Sequence, residues 1–544
     1  MIDYQNLRKS TLTSQNKLRT INWRRWGFAL VVCLCTVGIL ARLAPIAANR
    51  FHQDEAIYSY WALKIVTGQD PWLAHISVDK PPLFIYVLAL SLGLFGPTET
   101  AARLPSEIAS AASLLLLYVL VRRLYNLPTA LIALVVLALS PFDILFAPTV
   151  FTDPLMVMWV LAALVTAAYQ RRGWSGLSLG LGIVTKPQAI LFLPLVVAVS
   201  LFSASNEPRP APTAPSPISI SGPDQPAAQV TRKNRPLPAW GRGWSRFILP
   251  VSAVVVLAFL WDALRVTPTG FFQQSINSYG GWRWAPPQAW LERADQWRAL
   301  LVYVTGSPLL NACLVVGLPL RLVYDTLGLG DRRHAALDWS LALFCGLFLM
   351  VNTVIDFNIW DRYLLGLVPC LAILLARVLI LPFEAFSRLW TRLQPWQIVY
   401  GVGIVALCLV TLFRPAQDAA NSRFPIGGDH GAYGGFDNLV SYFRSRVPGG
   451  AVVYHQQLGW HYSFYMFNFP YLFQWYTSPG DLAADAVKRP GAPRYVAIPS
   501  WQSATQPQWV LKRAGLIMHP VYETFRDDGS RSFTLYRIEE AEPE

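Results

Sequence analysis

Charge is scarce in this chain. Only 14% of its 544 residues are Asp, Glu, Lys or Arg, where a soluble chain carries about 25%. Together with 53% hydrophobic residues and a mean hydropathy of +0.35, this excludes an ordinary soluble globular protein. Cysteine is scarce too. All six (33, 35, 313, 345, 370 and 408) lie within apolar runs, which excludes a disulfide framework or a thiolate metal site. Acids are almost missing from the first 25 residues, where Asp3 stands alone against Arg8, Lys9, Lys17, Arg19, Arg24 and Arg25. The net charge of +13 would suggest nucleic acid in a soluble protein. Here the basic residues fall between apolar runs and read as topology signals, so no nucleic-acid partner is expected.

What is present is a series of apolar runs of membrane length. The basic start reads as a cytoplasmic arm, 1–25, leading into an uncleaved anchor, because no small-residue cleavage site follows and many further runs do. Threading by the positive-inside rule gives about eleven spans. They lie at 26–47, 104–121, 128–148, 155–169, two short helices within 174–202 that turn near Thr185-Lys186-Pro187, 247–266, 299–320, 339–355, 363–381 and 397–413. The run 83–95 is short for a crossing and is expected along the outer surface, since a crossing there would put Arg122 and Arg123 outside. Residues 203–245 hold nine prolines and read as a disordered cytoplasmic insert.

The expected fold class is therefore a polytopic α-helical membrane protein with a transmembrane domain at 26–413 and a small extracytoplasmic α/β domain at 414–544. That last region has strand-like runs at 451–454, 495–498 and 532–536 and helix-like runs at 437–446 and 506–514. It has neither a Gly-rich phosphate loop nor Cys/His metal spacing, and His430, His455, His461 and His519 read as structural or surface residues.

Asp54 and Glu55 are the most informative pair. They lie a few residues beyond the first apolar run, in an external loop spanning 48–103. Adjacent carboxylates beside a membrane are costly to bury, so they read as an acid pair with work to do there. The same threading brings Asp79, Lys80, Arg103, Asp153 and Arg362 to this face. Each has a blander reading: Lys80 before Pro81-Pro82 and Arg362-Tyr363 as headgroup anchors, Asp153 before Pro154 as a helix N-cap. Together they suit a charged, membrane-embedded substrate such as a polyprenyl-phosphate sugar. Its transfer needs a base for the acceptor and cations for the departing phosphate.

Gln53-Asp54-Glu55-Ala56, Thr67-Gly68-Gln69-Asp70-Pro71-Trp72 and Asp79-Lys80-Pro81-Pro82-Leu83 resemble the first external loop of GT-C glycosyltransferases. The branch is that of the protein O-mannosyltransferases and bacterial aminoarabinose lipid A transferases. Ala101-Ala102-Arg103-Leu104-Pro105-Ser106, Thr152-Asp153-Pro154-Leu155, Leu181-Gly182-Ile183-Val184-Thr185-Lys186 and Arg362-Tyr363-Leu364-Leu365 continue the resemblance in order, over roughly 20–380. It implies that Asp54 is the catalytic carboxylate, that Lys80, Arg103 and Arg362 serve the donor phosphate, and that Glu55, Asp79, Asp153 and Tyr363 line or support the cavity. Some relatives pair an acid before the lysine with a histidine in a later external loop, able to hold a metal. Asp79 fills the first place here, but loop 267–298 has no histidine, so no metal or other cofactor is expected. That loop's Trp282, Trp284, Trp290 and Trp297 read as an interfacial belt.

The implied activity is transfer of a sugar from a polyprenyl-phosphate donor to a lipid, glycan or protein acceptor outside the cytoplasmic membrane, with inversion. The alternatives are a flippase of lipid-linked sugars and a polysaccharide ligase using a diphosphate-linked donor.

Overall fold

The computed structural model describes residues 27–47, 49–204, 240–278, 283–389, 396–428 and 431–541. The arm expected at 1–25 and the body of the insert expected at 203–245 lie outside the described residues, the insert being flanked by helices Leu193–Ala204 and Trp240–Ala263.

Among the described residues eight helices are long and apolar enough to cross a membrane: Gly27–Ile46, Glu99–Leu124, Pro187–Ala204, Gly243–Ala263, Pro308–Thr326, Arg332–Val354, Asp361–Phe386 and Val399–Ala420. The polytopic helical fold is thus the one expected. Thr152–Ala168, with 17 residues, is at the lower limit for a core of about 30 Å. Pro82–Phe95, with 14 residues, is a helix at the expected place and packs on Gln53–Val66. The turn expected near Thr185-Lys186-Pro187 falls between helix Arg172–Thr185 and the 3₁₀ turn Pro187–Phe192. Helix Arg172–Thr185 meets Trp240–Ala263 closely: a Cβ on Gly176 would lie 2.1 Å from the Phe247 carbonyl oxygen. Small residues permit such backbone approach.

Two expected spans are corrected. The run 128–148 is not one helix, because Leu127–Ala138 ends before Ser140 and a short helix, Pro141–Phe146, follows. Pro141 has no N–H to donate and drives Ser140 out of the helical region. The break frees carbonyls in an apolar setting, where each needs a donor. Arg42, fully buried on the first span, supplies them. Its guanidinium donates to the carbonyls of Ala138 (2.9 Å), Leu137 (3.0 Å) and Gly38 (2.7 Å), and it pairs with Asp143 at 3.2 Å.

The run 299–320 is also divided. Helix Trp290–Leu301 ends in a 3₁₀ turn, Val302–Val304, and the crossing helix starts only at Pro308. Gly306 sits between them at φ 63°, and a Cβ there would be 2.8 Å from Pro415 and 3.1 Å from Pro141. Both its backbone angle and its neighbours demand glycine. Ser140 donates to the Val304 carbonyl at 2.6 Å, so the two breaks face one another.

The C-terminal region forms a five-stranded sheet from β1 (Val452–His455), β2 (Leu472–Trp475), β3 (Arg494–Pro499), β4 (Leu516–Phe525) and β5 (Arg531–Glu540). The order is β2-β1-β3-β5-β4, parallel through β2, β1 and β3 and antiparallel at β5 and β4. Side chains along β3 alternate between two apolar cores. Tyr495 and Ala497 join Phe436, Phe443 and Leu535, while Val496 and Ile498 join Tyr454, Leu482 and Leu511. Helices therefore cover both faces. Helix Gly459–Tyr465 of this unit packs on Gln53–Val66, so the sheet domain rests on the loop that carries Asp54.

Candidate active site

His52 opens helix Gln53–Val66 through a capping box. Its ring Nδ1 accepts the Asp54 N–H at 3.1 Å, and its own N–H donates to Glu55 Oε2 at 2.7 Å. The adjacent acids are thereby sent to different fates. Glu55 turns inward with its side chain 4% exposed, and its other oxygen accepts the Val150 N–H at 2.8 Å. Both oxygens are committed to backbone, so Glu55 ties the helix start to the segment before Thr152–Ala168. Burial pushes its pKa up, with Arg103 and the two backbone N–H groups opposing. The Asp54 side chain is 34% exposed, open to a substrate, and its Oδ2 meets Arg362 at 2.8 Å. Burial pushes Asp54 up as well, but Arg362, His52 and Lys80 outweigh it and hold the carboxyl below its ordinary range.

Lys80 is the residue before Pro81-Pro82, whose second proline starts the helix Pro82–Phe95. Its ammonium pairs with Asp79 at 2.5 Å and sits 5.6 Å above the Tyr58 ring. Tyr58 and Asp79 raise its pKa against the opposing effect of burial, so it stays charged. Asp153, in the first turn of Thr152–Ala168, is paired with Lys186 at 2.5 Å. Lys186 lies 4.5 Å over the Tyr363 ring. The charges of Arg362 and Lys80 are felt at Lys186, and that of Lys80 at Asp54. The Arg362 guanidinium rests on Phe151 at 4.6 Å, while Asp361 accepts the N–H groups of Arg362 (2.7 Å) and Gly427 (2.9 Å). The structure thus gathers three cations (Lys80, Lys186, Arg362) with Asp54, Asp79 and Asp153.

Arg103 does not join them. Its side chain is 2% exposed, and it donates to the carbonyls of Ile46 and, at 2.8 Å, Asn49, with Glu55 at 3.8 Å and Glu99 at 3.7 Å. Its Nη donors secure the start of the loop, while its Nε has no hydrogen-bond partner among the described residues. Lys186 is the residue of this group that the sequence alone does not single out, because a lysine before Pro187 at a helix end reads as a turn. Arg265, just beyond Trp240–Ala263, is a further buried cation. It pairs with Asp262 at 3.1 Å and stacks on Trp261 at 4.2 Å, yet its Nε and Nη1 are buried with no hydrogen-bond partner among the described residues. Thr269 meets Ser77 at 3.3 Å, holding this segment against the stretch that leads to Lys80. Among the described residues no three His, Cys, Asp or Glu side chains gather as metal ligands, and Asp79 is turned to Lys80.

The family described as dolichyl-phosphate-mannose-protein mannosyltransferase matches residues 79–210. An undecaprenyl phosphate-alpha-4-amino-4-deoxy-L-arabinose arabinosyl transferase of Pseudomonas paraeruginosa is 31% identical over 163 residues, 27% of this chain and 30% of the relative. The chain thus spans about 30% of the length of that curated relative. Among solved structures, ArnT from Cupriavidus metallidurans bound to undecaprenyl phosphate superposes with a TM-score of 0.57 at 14% identity, covering 95% of this chain and 98% of that one. The Archaeoglobus fulgidus oligosaccharyltransferase in its apo form gives 0.50 at 12% identity, covering 93% and 74%. This chain therefore shares the fold of that ArnT over nearly its whole length, and the segment matched by the family lies within the stretch where the sequence resembles GT-C glycosyltransferases.

Proposed function

We propose that the chain transfers a sugar from a polyprenyl-phosphate donor to an acceptor at the outer face of the cytoplasmic membrane. In this reading residues 1–25 are cytoplasmic, 26–413 form the transmembrane transferase and 414–544 lie outside. The observation that carries it is the grouping of Lys80, Lys186 and Arg362 with an accessible Asp54. An apolar groove between Pro187–Ala204 and Arg332–Val354, lined by Leu191, Leu195, Phe344 and Phe348, begins a few residues beyond Lys186 and suits a prenyl tail.

The steps follow from charge. A donor phosphate competes for Arg362, which loosens its hold on Asp54 and makes that carboxylate more basic. Asp54 takes the proton of the acceptor hydroxyl or amine as the acceptor attacks the anomeric carbon from the face opposite the phosphate. The bond from that carbon to the phosphate oxygen breaks, its electron pair goes to the leaving phosphate, and the configuration inverts. Lys80, Lys186 and Arg265 supply cationic donors to the phosphate as charge builds.

A flippase would need buried charges that change partners across the spans. The buried charges of the spans are held in fixed pairs: Arg42 with Asp143 and Arg377 with Asp338 at 3.0 Å across helices, and Arg377 with Glu384 at 2.7 Å within one helix. Fixed packing suits them better. The test is purified protein in lipid given undecaprenyl-monophosphate and undecaprenyl-diphosphate sugars, with release of the free lipid phosphate measured. The proposal expects release from monophosphate donors. Release from diphosphate donors alone would replace it with the ligase reading, and lipid movement without release would replace it with the flippase.

A further inference from the structure

Phe51 stands three residues before Asp54 and directly before the helix-capping His52. It is fully buried, and both its backbone polar groups are held by one helix of the C-terminal unit, Gly459–Tyr465. His461 Nε2 lies 2.8 Å from the Phe51 carbonyl oxygen, and the Phe51 N–H donates to Tyr465 Oη at 3.2 Å. A carbonyl only accepts, so His461 must carry its proton on Nε2. Burial lowers its pKa to about 4, and Nδ1 has no partner among the described residues, which is the state of a neutral ring. Tyr433 stacks on that ring at 4.1 Å and fixes its plane. The Tyr465 hydroxyl donates in turn to Glu99, which also binds Arg50 at 3.2 Å. Phe464 completes the grip, ring to ring with Phe51 at 5.0 Å.

From this geometry we infer that the C-terminal unit is a positioning element of the transferase site, with His461 and Tyr465 clamping both backbone groups of Phe51 to set the start of the Asp54 helix. The inference rests on the reading of Asp54 as base. The opposite side of the same helix start is held from within the bundle, through Glu55 and the Val150 N–H. Asp54 is thus placed by two anchors, one from each part of the chain. Sub-ångström placement is what a base needs at the acceptor proton, and a shift of about 1 Å costs up to about 100-fold in rate. Neither His461 nor Tyr465 touches the reacting groups, so their removal should act on kcat and leave donor binding alone.

The experiment uses the full chain in lipid, with whichever undecaprenyl-phosphate sugar the wild type turns over, and counts folded molecules by binding of undecaprenyl phosphate. H461A should lower kcat per folded molecule about 10-fold with the donor KM unchanged. H461Q, whose side-chain amide can donate from nearly the position of Nε2, should restore most of it. Y465F keeps the ring packing and removes only the hydroxyl, which guards against a variant that simply fails to fold. It should also lower kcat while hydrogen exchange at Phe51 speeds up. Wild-type kcat in H461A and Y465F beside an inactive D54N would overturn the clamp and leave the base in place. Wild-type kcat in D54N would sink the base and the clamp with it.

Discussion

Removing Lys186 strands Asp153. The two side chains are 9% and 2% exposed and meet at 2.5 Å, so K186A leaves a carboxylate with almost no water and no cation in contact. Breaking a buried pair from one side costs about 3–5 kcal/mol, since the desolvated charge stays behind. Loss of the ammonium above the Tyr363 ring, 4.5 Å away, adds to this. Replacing both partners with neutral side chains of similar size removes the stranded charge, and such replacements are often close to neutral. The double variant D153N/K186M should therefore recover to within about 1 kcal/mol of wild type. Unfolding of the purified protein by SDS titration in mixed micelles reads these differences. Turnover of an undecaprenyl-phosphate sugar by the same samples separates stability from function. The stable double variant should remain inactive, because the ammonium serves the phosphate as well as Asp153. Equal stability of K186A, D153N and the double variant would refute the reasoning, as no buried pair would then exist to break.

R362Q removes the cation that holds Asp54 down, so burial should dominate and Asp54 should protonate at a higher pH. The wild-type carboxylate stays ionised well into acid, and the acid limb of the pH–rate profile should move upward in the variant; an unmoved limb would separate Asp54 from the rate. Reporters fused after Arg123, Arg172 or within 210–235 should report cytoplasm, and those after Glu55, Asp153 or Ala420 the external side. An external signal at Arg123 would mean that Pro82–Phe95 crosses the membrane.

Periodicity and charge made most of the bundle legible in the sequence, because long apolar runs between basic loops have few other uses. The two misjudged spans share one cause. Runs 128–148 and 299–320 are mostly apolar, and hydropathy does not register that Pro141 and Gly306 interrupt the hydrogen-bond ladder. What lets the chain tolerate the first break is Arg42, a distant residue whose role depends on tertiary packing. In the sheet domain β1, β3 and β5 were readable from apolar β-branched and aromatic runs. The short edge strand β2 and the outer strand β4, which carries Pro520 and several exposed side chains, were not. At the site, Asp54, Lys80, Asp153 and Arg362 were legible because charge beside a membrane is expensive. Lys186 was hidden by its turn, and motif position carries no information on where the five N–H donors of Arg103 point. The clamp on Phe51 joins residues about 410 positions apart, and only the fold brings them together.

The most direct measurement compares D54N with K80A in purified protein in lipid, by undecaprenyl-phosphate binding and by single-turnover sugar transfer. D54N keeps the side chain's size and removes the base, so binding should persist while turnover falls about 10²–10⁴-fold. K80A should weaken binding and turnover together, because that charge meets the phosphate before and during transfer. Near-normal turnover in D54N would contradict the assignment of the base and make Asp153 the next carboxylate to test.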